Sequence, residues 1–162
     1  MDHATLTLAD VTLRLALALG CGAVIGLNRD LHHKGAGLRT FGLVALGTAG
    51  LTVGSLLAFT APDDNVSRVI QGVLTGIGFL GAGVILRRTD SGRVTGLTTA
   101  AAIWFVAGLA VLCGLGQIRL VAILLALALA LLVFGRRVER AVERIFGQPR
   151  EESPPTADAT DK

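Results

Sequence analysis

Five stretches of this chain are almost wholly apolar, at roughly 9–27, 40–60, 67–86, 96–115 and 118–135, and short polar segments separate them. Each is about 20 residues long, the length an α-helix needs to cross the hydrocarbon of a bilayer. The polar positions cluster between them. A basic segment, Arg29-Asp30-Leu31-His32-His33-Lys34-Gly35-Ala36-Gly37, follows the first run, and another, Arg87 to Thr95, follows the third. Pro62-Asp63-Asp64-Asn65, a turn with helix-starting residues, follows the second. After the fifth run the pattern changes. Val138, Ala141, Val142 and Ile145 fall at helical spacing among Arg137, Glu139, Arg140, Glu143 and Arg144, which predicts a short amphipathic helix over 136–146 lying on the inner leaflet. The prolines 149, 154 and 155 and the lack of aromatics predict a disordered tail over 147–162. The whole reads as an all-α integral membrane protein whose transmembrane domain occupies 1–135.

Composition agrees with that class. The chain is 52% hydrophobic and 17% charged, with 21 glycines in 162 residues, too apolar for a soluble domain of this size. The first run is read as a retained span, because Asp2 and Asp10 stand where a signal peptide has a basic segment. Lys and Arg placement sets the orientation. Twelve of the fifteen basic residues lie in the loop with Arg29, Lys34 and Arg39, the loop with Arg87, Arg88 and Arg93, and the C-terminal segment. Only Arg14, Arg68 and Arg119 lie on the other side, so the N-terminus is expected outside and the C-terminus in the cytoplasm. Arg14, near the outer end of the first span, is expected to snorkel to the headgroups. The net charge of +3 is explained by topology and anionic headgroups, and calls for no nucleic acid. Cys21 and Cys113 lie in apolar runs without metal-type spacing and read as small packing residues.

The first four runs form a repeat. Displaced by 59 positions, Gly22, Ala23, Leu27, Arg29, Gly37, Leu38 and Thr40 meet Gly81, Ala82, Leu86, Arg88, Gly96, Leu97 and Thr99, with Lys34 against Arg93 keeping the charge. A duplicated helical hairpin is expected. Its two copies would share one orientation, related by a pseudo-two-fold axis along the membrane normal.

Few positions carry chemistry. Gly76-Ile77-Gly78-Phe79-Leu80-Gly81 fits the spacing of a dinucleotide-binding loop, but it lies inside an apolar span with no strand before it. Gly72, Gly76, Gly78, Gly81, Ala82 and Gly83 read instead as small residues that let helix backbones approach. All twelve acidic residues lie in loops, span ends or tails. A carrier for a hard divalent cation would ordinarily offer a carboxylate at mid-depth, whereas the spans supply only Thr48, Thr52, Ser55, Gln71, Thr75, Thr98 and Thr99. His32-His33 lacks further ligands at metal spacing and reads as a solvated loop. No nucleophile with its base, phosphate loop or zinc motif is present, so no enzyme, cofactor or metal is expected. The remaining candidate surface is the cytoplasmic face, with Asn28, Arg29, Asp30, Lys34 and Arg39 from one copy and Arg87, Arg88, Asp90 and Arg93 from the other. Thr40, Thr98 and Thr99 border it. Each Gly-Leu-x-Thr restart could aim hydroxyls at helix-start amides and make a small anion or headgroup site; topology determinants and helix caps are the plainer alternative.

Gly26-Leu27-Asn28-Arg29-Asp30, His33-Lys34-Gly35-Ala36-Gly37-Leu38-Arg39-Thr40, Gly76 to Ile85 and Gly96-Leu97-Thr98-Thr99-Ala100-Ala101 together resemble the MgtC/SapB family over roughly 10–135. The resemblance implies a multi-pass protein of the bacterial inner membrane. It also implies a link to growth under magnesium limitation and, in intracellular pathogens, to survival inside host cells. Some members are thought to act by binding and restraining other membrane proteins, the F-type ATP synthase among them. This chain departs from the family pattern in having Asn28 where an acidic residue is usual. It also has a polar tail where longer members carry a cytoplasmic regulatory domain. The expected function is non-enzymatic modulation of another membrane complex during magnesium or acid stress. The competing expectations are an oligomeric channel or transporter for Mg²⁺ or another small ion, and a lipid-binding scaffold.

Overall fold

The computed structural model describes residues 6–32, 34–58, 62–87 and 94–146. Five helices carry the chain: α1 (Leu8–Leu31), α2 (Leu38–Ala58), α3 (Pro62–Val84), α4 (Leu97–Gly114) and α5 (Ile118–Phe146). Each holds a stretch long and apolar enough to cross a membrane, as the five apolar runs require. Two differences from the sequence reading stand out. The segment between α3 and α4 contains a two-stranded antiparallel ribbon, β1 (Leu86–Arg87) with β2 (Val94–Thr95), pairing Leu86 with Thr95 and Arg87 with Val94. The amphipathic segment 136–146 is the continuation of α5, not a separate helix. The expected tail, 147–162, lies outside the described residues.

Contacts divide the chain into two units, Met1–Leu129 and Ala130–Lys162. The first is a helical bundle in which α2 and α4 pack against each other and each against α1 and α3. Of the α4 membrane stretch, 56% is buried, against 6% for that of α5, although α5 is the most apolar of the five. Lipid tails are as apolar as leucine, so hydropathy alone does not select the central helix. The α4 core is built from Ala102, Ile103, Val106, Ala107, Leu109, Ala110 and Val111. The second unit carries the remainder of α5.

Helix ends follow their local sequences. Thr7 caps α1 with a reciprocal box: its hydroxyl accepts from the Asp10 amide at 3.2 Å, and the Asp10 carboxylate accepts from the Thr7 amide at 3.1 Å. The last turn of α4 closes with Gly116 in the left-handed region at φ +76°, the Gln117 amide donating to the Leu112 carbonyl at 2.9 Å.

Close helix contact occurs where α1 lacks side chains. A Cβ on Gly22 would stand 2.6 Å from the Phe41 carbonyl oxygen, and one on Gly26 would stand 2.7 Å from the Leu38 Cα. Ala18, Gly22 and Gly26, four residues apart and buried, thus present one small face to α2. Two turns past Ala45 on α2, Thr52 fills the space over Gly114 of α4, where an added Cβ would lie 2.7 Å from the threonine Cβ. The glycines singled out in α3 are placed differently. Gly72, Gly76, Gly78 and Gly83 have nothing within 4 Å of an added Cβ, Ala82 is exposed, and Gly81 meets only the Ala100 Cβ at an ordinary 3.6 Å.

Overpacking a tight helix contact costs about 1–3 kcal/mol or more. Gly22→Val or Gly26→Val is therefore expected to lower the thermal midpoint of the detergent-solubilised protein by several degrees, with Gly76→Val changing it little. Equal losses at all three positions would remove the α1–α2 contact from its place in the packing.

Candidate functional site where α1 meets α2 and α4

The end of α1 places consecutive side chains against two different helices. Successive helical residues are about 100° apart, so Asp30 continues the Ala18-Gly22-Gly26 face toward α2 while Arg29 turns toward α4. The Asp30 carboxylate accepts from the Leu38 amide at 2.9 Å, capping α2 from the neighbouring helix. Gly37 makes room for it: a Cβ there would fall 1.6 Å from the carboxylate oxygen. The Gly37 carbonyl then accepts from the Phe41 amide, the first bond of α2.

Arg29 is 4% exposed, and its guanidinium donates to the Thr99 hydroxyl in the first turn of α4, itself 4% exposed. A charged group withdrawn from water near a span end needs such a partner. At the other end of the same helix pair Arg14 donates to the Gly114 carbonyl at 2.6 Å, where the last turn of α4 leaves carbonyls without an internal donor. Arg14 was expected to snorkel. Its guanidinium instead lies against Gly116, 3.0 Å from where a Cβ would stand, so the positive φ and the packing both favour glycine there. The two arginines show that α1 and α4 run antiparallel and tie them at both ends.

The other proposed site residues are not drawn into this arrangement. Asn28 is half-buried, and its carbonyl meets the His32 Nδ1 at 2.7 Å. Lys34, Arg39, Thr40 and Thr98 are exposed. Arg87 lies in β1, while Arg88, Asp90 and Arg93 fall outside the described residues. The threonines of the second restart do not cap α4: its N-cap is Gly96, φ +91°, with no side-chain bond, and Thr99 serves Arg29. Among the described residues no group of three or more His, Cys, Asp or Glu side chains could hold a metal ion. Sequence reasoning missed Gly22, Gly26 and Gly114 as contact residues and Asp30 as a cap. The four-residue spacing from Ala18 through Gly22 and Gly26 to Asp30 was the available signal.

A profile of the MgtC family matches residues 15–141, which takes in Arg29, Asp30 and Thr99 and begins one residue after Arg14. The chain belongs to the MgtC family. It is 41% identical to Protein SrpB of Synechococcus elongatus over 93% of this chain and 92% of that protein. It is 46% identical to Protein MgtC of Salmonella typhimurium over 66% of this chain and 44% of that protein, and 44% identical to Protein MgtC of Brucella abortus over 68% and 45%. The chain thus spans nearly all of SrpB and less than half of the MgtC proteins. No solved structure matches it.

A hydrogen bond from a charged donor contributes about 1.5–3 kcal/mol. Arg29→Met and Thr99→Val should each destabilise the chain, and the double variant should lose little more than Arg29→Met alone. Additive losses in that double-mutant cycle would mean the two residues act independently. Asp30→Ala should cost about 1 kcal/mol as a lost cap. Gly37→Ala should be worse in the native background than in Asp30→Ala, since only the carboxylate crowds the new methyl.

Proposed function

We propose that this member of the MgtC family is a non-enzymatic protein of the bacterial inner membrane that modulates another membrane complex during adaptation to magnesium limitation or acid stress. Its N-terminus is outside, its C-terminus is in the cytoplasm, and α1–α2 and α3–α4 are copies of one hairpin. The orientation rests on the twelve basic residues of the loops and tail. The duplication is supported by Gly37 and Gly96, 59 positions apart, whose carbonyls accept from the amides of Phe41 and Ala100 at the starts of α2 and α4.

The observation that carries the modulator reading over a cation path through the single chain is the disposition of the buried polar groups. Arg14 and Arg29 occupy the two ends of the α1–α4 contact, where each would repel an entering cation. Toward the Arg14 end, on α2, the hydroxyls of Thr52 and Ser55 donate to the carbonyls of Thr48 and Thr52 at 2.9 and 2.7 Å, within their own helix. Facing outward, α3 presents Gly72, Gly76, Gly83 and the 82% exposed Phe79, a surface open to another membrane protein. The family resemblance makes the F-type ATP synthase one partner to test.

The test is a gene deletion grown across a magnesium series with membrane potential and ATP recorded, alongside Mg²⁺ flux into proteoliposomes holding the purified chain. A low-magnesium growth defect with altered potential or ATP, restored by the wild-type gene, is expected, with flux no greater than in protein-free liposomes. Flux above that background would favour the transporter, and unchanged growth and energetics at every magnesium level would sink the modulator.

A further inference from the structure

The chain has two cysteines, on different helices, and the fold sets them against each other. Cys21 of α1 and Cys113 of α4 are 7% and 1% exposed, and both are free thiols. Helix periodicity turns them the same way. On α1, Cys21 follows Arg14 by seven residues, two turns, and on α4 Cys113 follows Thr99 and Val106 at that same interval. Arg14 and Thr99 are residues through which these two helices are tied, so each cysteine lies on the line of its helix that meets the other. Their thiols come within hydrogen-bonding reach of one another.

A buried side chain touches about 6–12 others, so in a chain of 162 residues two cysteines on separate helices seldom meet by chance alone. Filling space needs no sulfur: Ala107 and Ala110 do it on the same helix. Among the described residues no third His, Cys, Asp or Glu joins the pair to complete a metal site. A zinc ion takes at least three protein ligands, whereas two adjoining thiols suffice for a disulfide.

We propose that Cys21 and Cys113 form a redox site that closes to an intramolecular disulfide when the protein meets hydrogen peroxide. That oxidant is small and uncharged, and the pair lies near a helix end: Cys113 precedes Gly114, the last residue of α4, whose carbonyl accepts from the Arg14 guanidinium. Burial slows the reaction and keeps larger oxidants away. Cys21, the more exposed of the two, reacts first. Its sulfur, as thiolate, attacks one peroxide oxygen; the O–O bond breaks, hydroxide leaves and becomes water with the proton that the thiol gave up, and a sulfenic acid remains. The Cys113 sulfur then attacks the Cys21 sulfur. The S–S bond forms, and the second hydroxide leaves as water with the Cys113 proton. Two thiols and one peroxide thus give one disulfide and two waters, the sulfurs losing the two electrons that the peroxide gains. A dithiol reductant reverses the change. In the oxidised state α1 and α4 are joined covalently, where the reduced state holds them by packing and by the arginine hydrogen bonds. The inference is independent of the function proposed above and of which end of the chain faces the cytoplasm.

Intact mass and thiol counting on the full chain, purified in detergent, test it. After peroxide treatment and an acid quench, the monomer should be lighter by two hydrogens, and denaturation should leave no thiol for maleimide. Dithiothreitol should restore both thiols. In Cys113→Ala the sulfenic acid at Cys21 has no thiol to resolve it, so dimedone should label that variant at least tenfold more than the wild type. Lys34→Cys in the native background adds an exposed thiol that reports the oxidant at work. Wild-type monomer that keeps both thiols while the added cysteine at 34 is oxidised would overturn the proposal. So would disulfides found only between chains, sulfinic acid in place of the disulfide, or equal dimedone labelling with and without Cys113. The mass and thiol readouts use the wild-type chain, so they decide even if Cys113→Ala fails to fold.

Discussion

In hydrocarbon two helices have no hydrophobic drive to associate, so their pairing rests on van der Waals contact and hydrogen bonds. In this chain the closest contact is made where α1 carries no side chain, at Gly22 and Gly26. The backbone of α2 then comes near enough for Asp30, one turn further on, to reach the Leu38 amide. That in turn leaves no space for a side chain at Gly37. With the Asp30 face committed to α2, Arg29 points to α4 and finds Thr99. A bulkier residue at Gly26 would displace the cap, the turn and the arginine together.

The second constraint is that buried polar groups must find partners in a medium that supplies none. Arginine at each end of α1 meets it differently, one through a threonine hydroxyl and the other through an open carbonyl of α4. The mid-helix hydroxyls of α2 meet it locally, by bonding their own backbone. The buried arginines and hydroxyls of α1 and α2 thus have partners within the bundle, and its outer surfaces are left to apolar side chains. Those surfaces are large and apolar because lipid, not protein, is their default neighbour.

Much of the architecture was legible in the chain because the bilayer imposes a length and a polarity that any spanning helix must show. The five runs gave the first four helices and the start of α5 to within about five residues, though α5 runs eleven residues past the end of its run, and the motifs from Gly26 to Ala101 were enough for the family. The site was only partly legible. Arg29, Asp30 and Thr99 were among the candidates, but their joint arrangement was not, because Arg29 and Thr99 are 70 positions apart and their meeting depends on how α1 lies between α2 and α4.

The sequence by itself determined the class, the number of helices and which residues are able to serve as caps, small contacts or cationic ties. Tertiary structure decided which of them do. Glycine spacing recurs in α1, α2 and α3, and only proximity distinguishes Gly22 and Gly26, pressed against α2, from Gly72 and Gly76, which face open space. Arg14 has the reach to snorkel or to bind a carbonyl, and the end of α4 settled the choice. The physical reason is the solvent. A bilayer rewards apolar surface whether or not protein covers it, so the sequence pattern that defines a span is silent about which face of that span touches its neighbours.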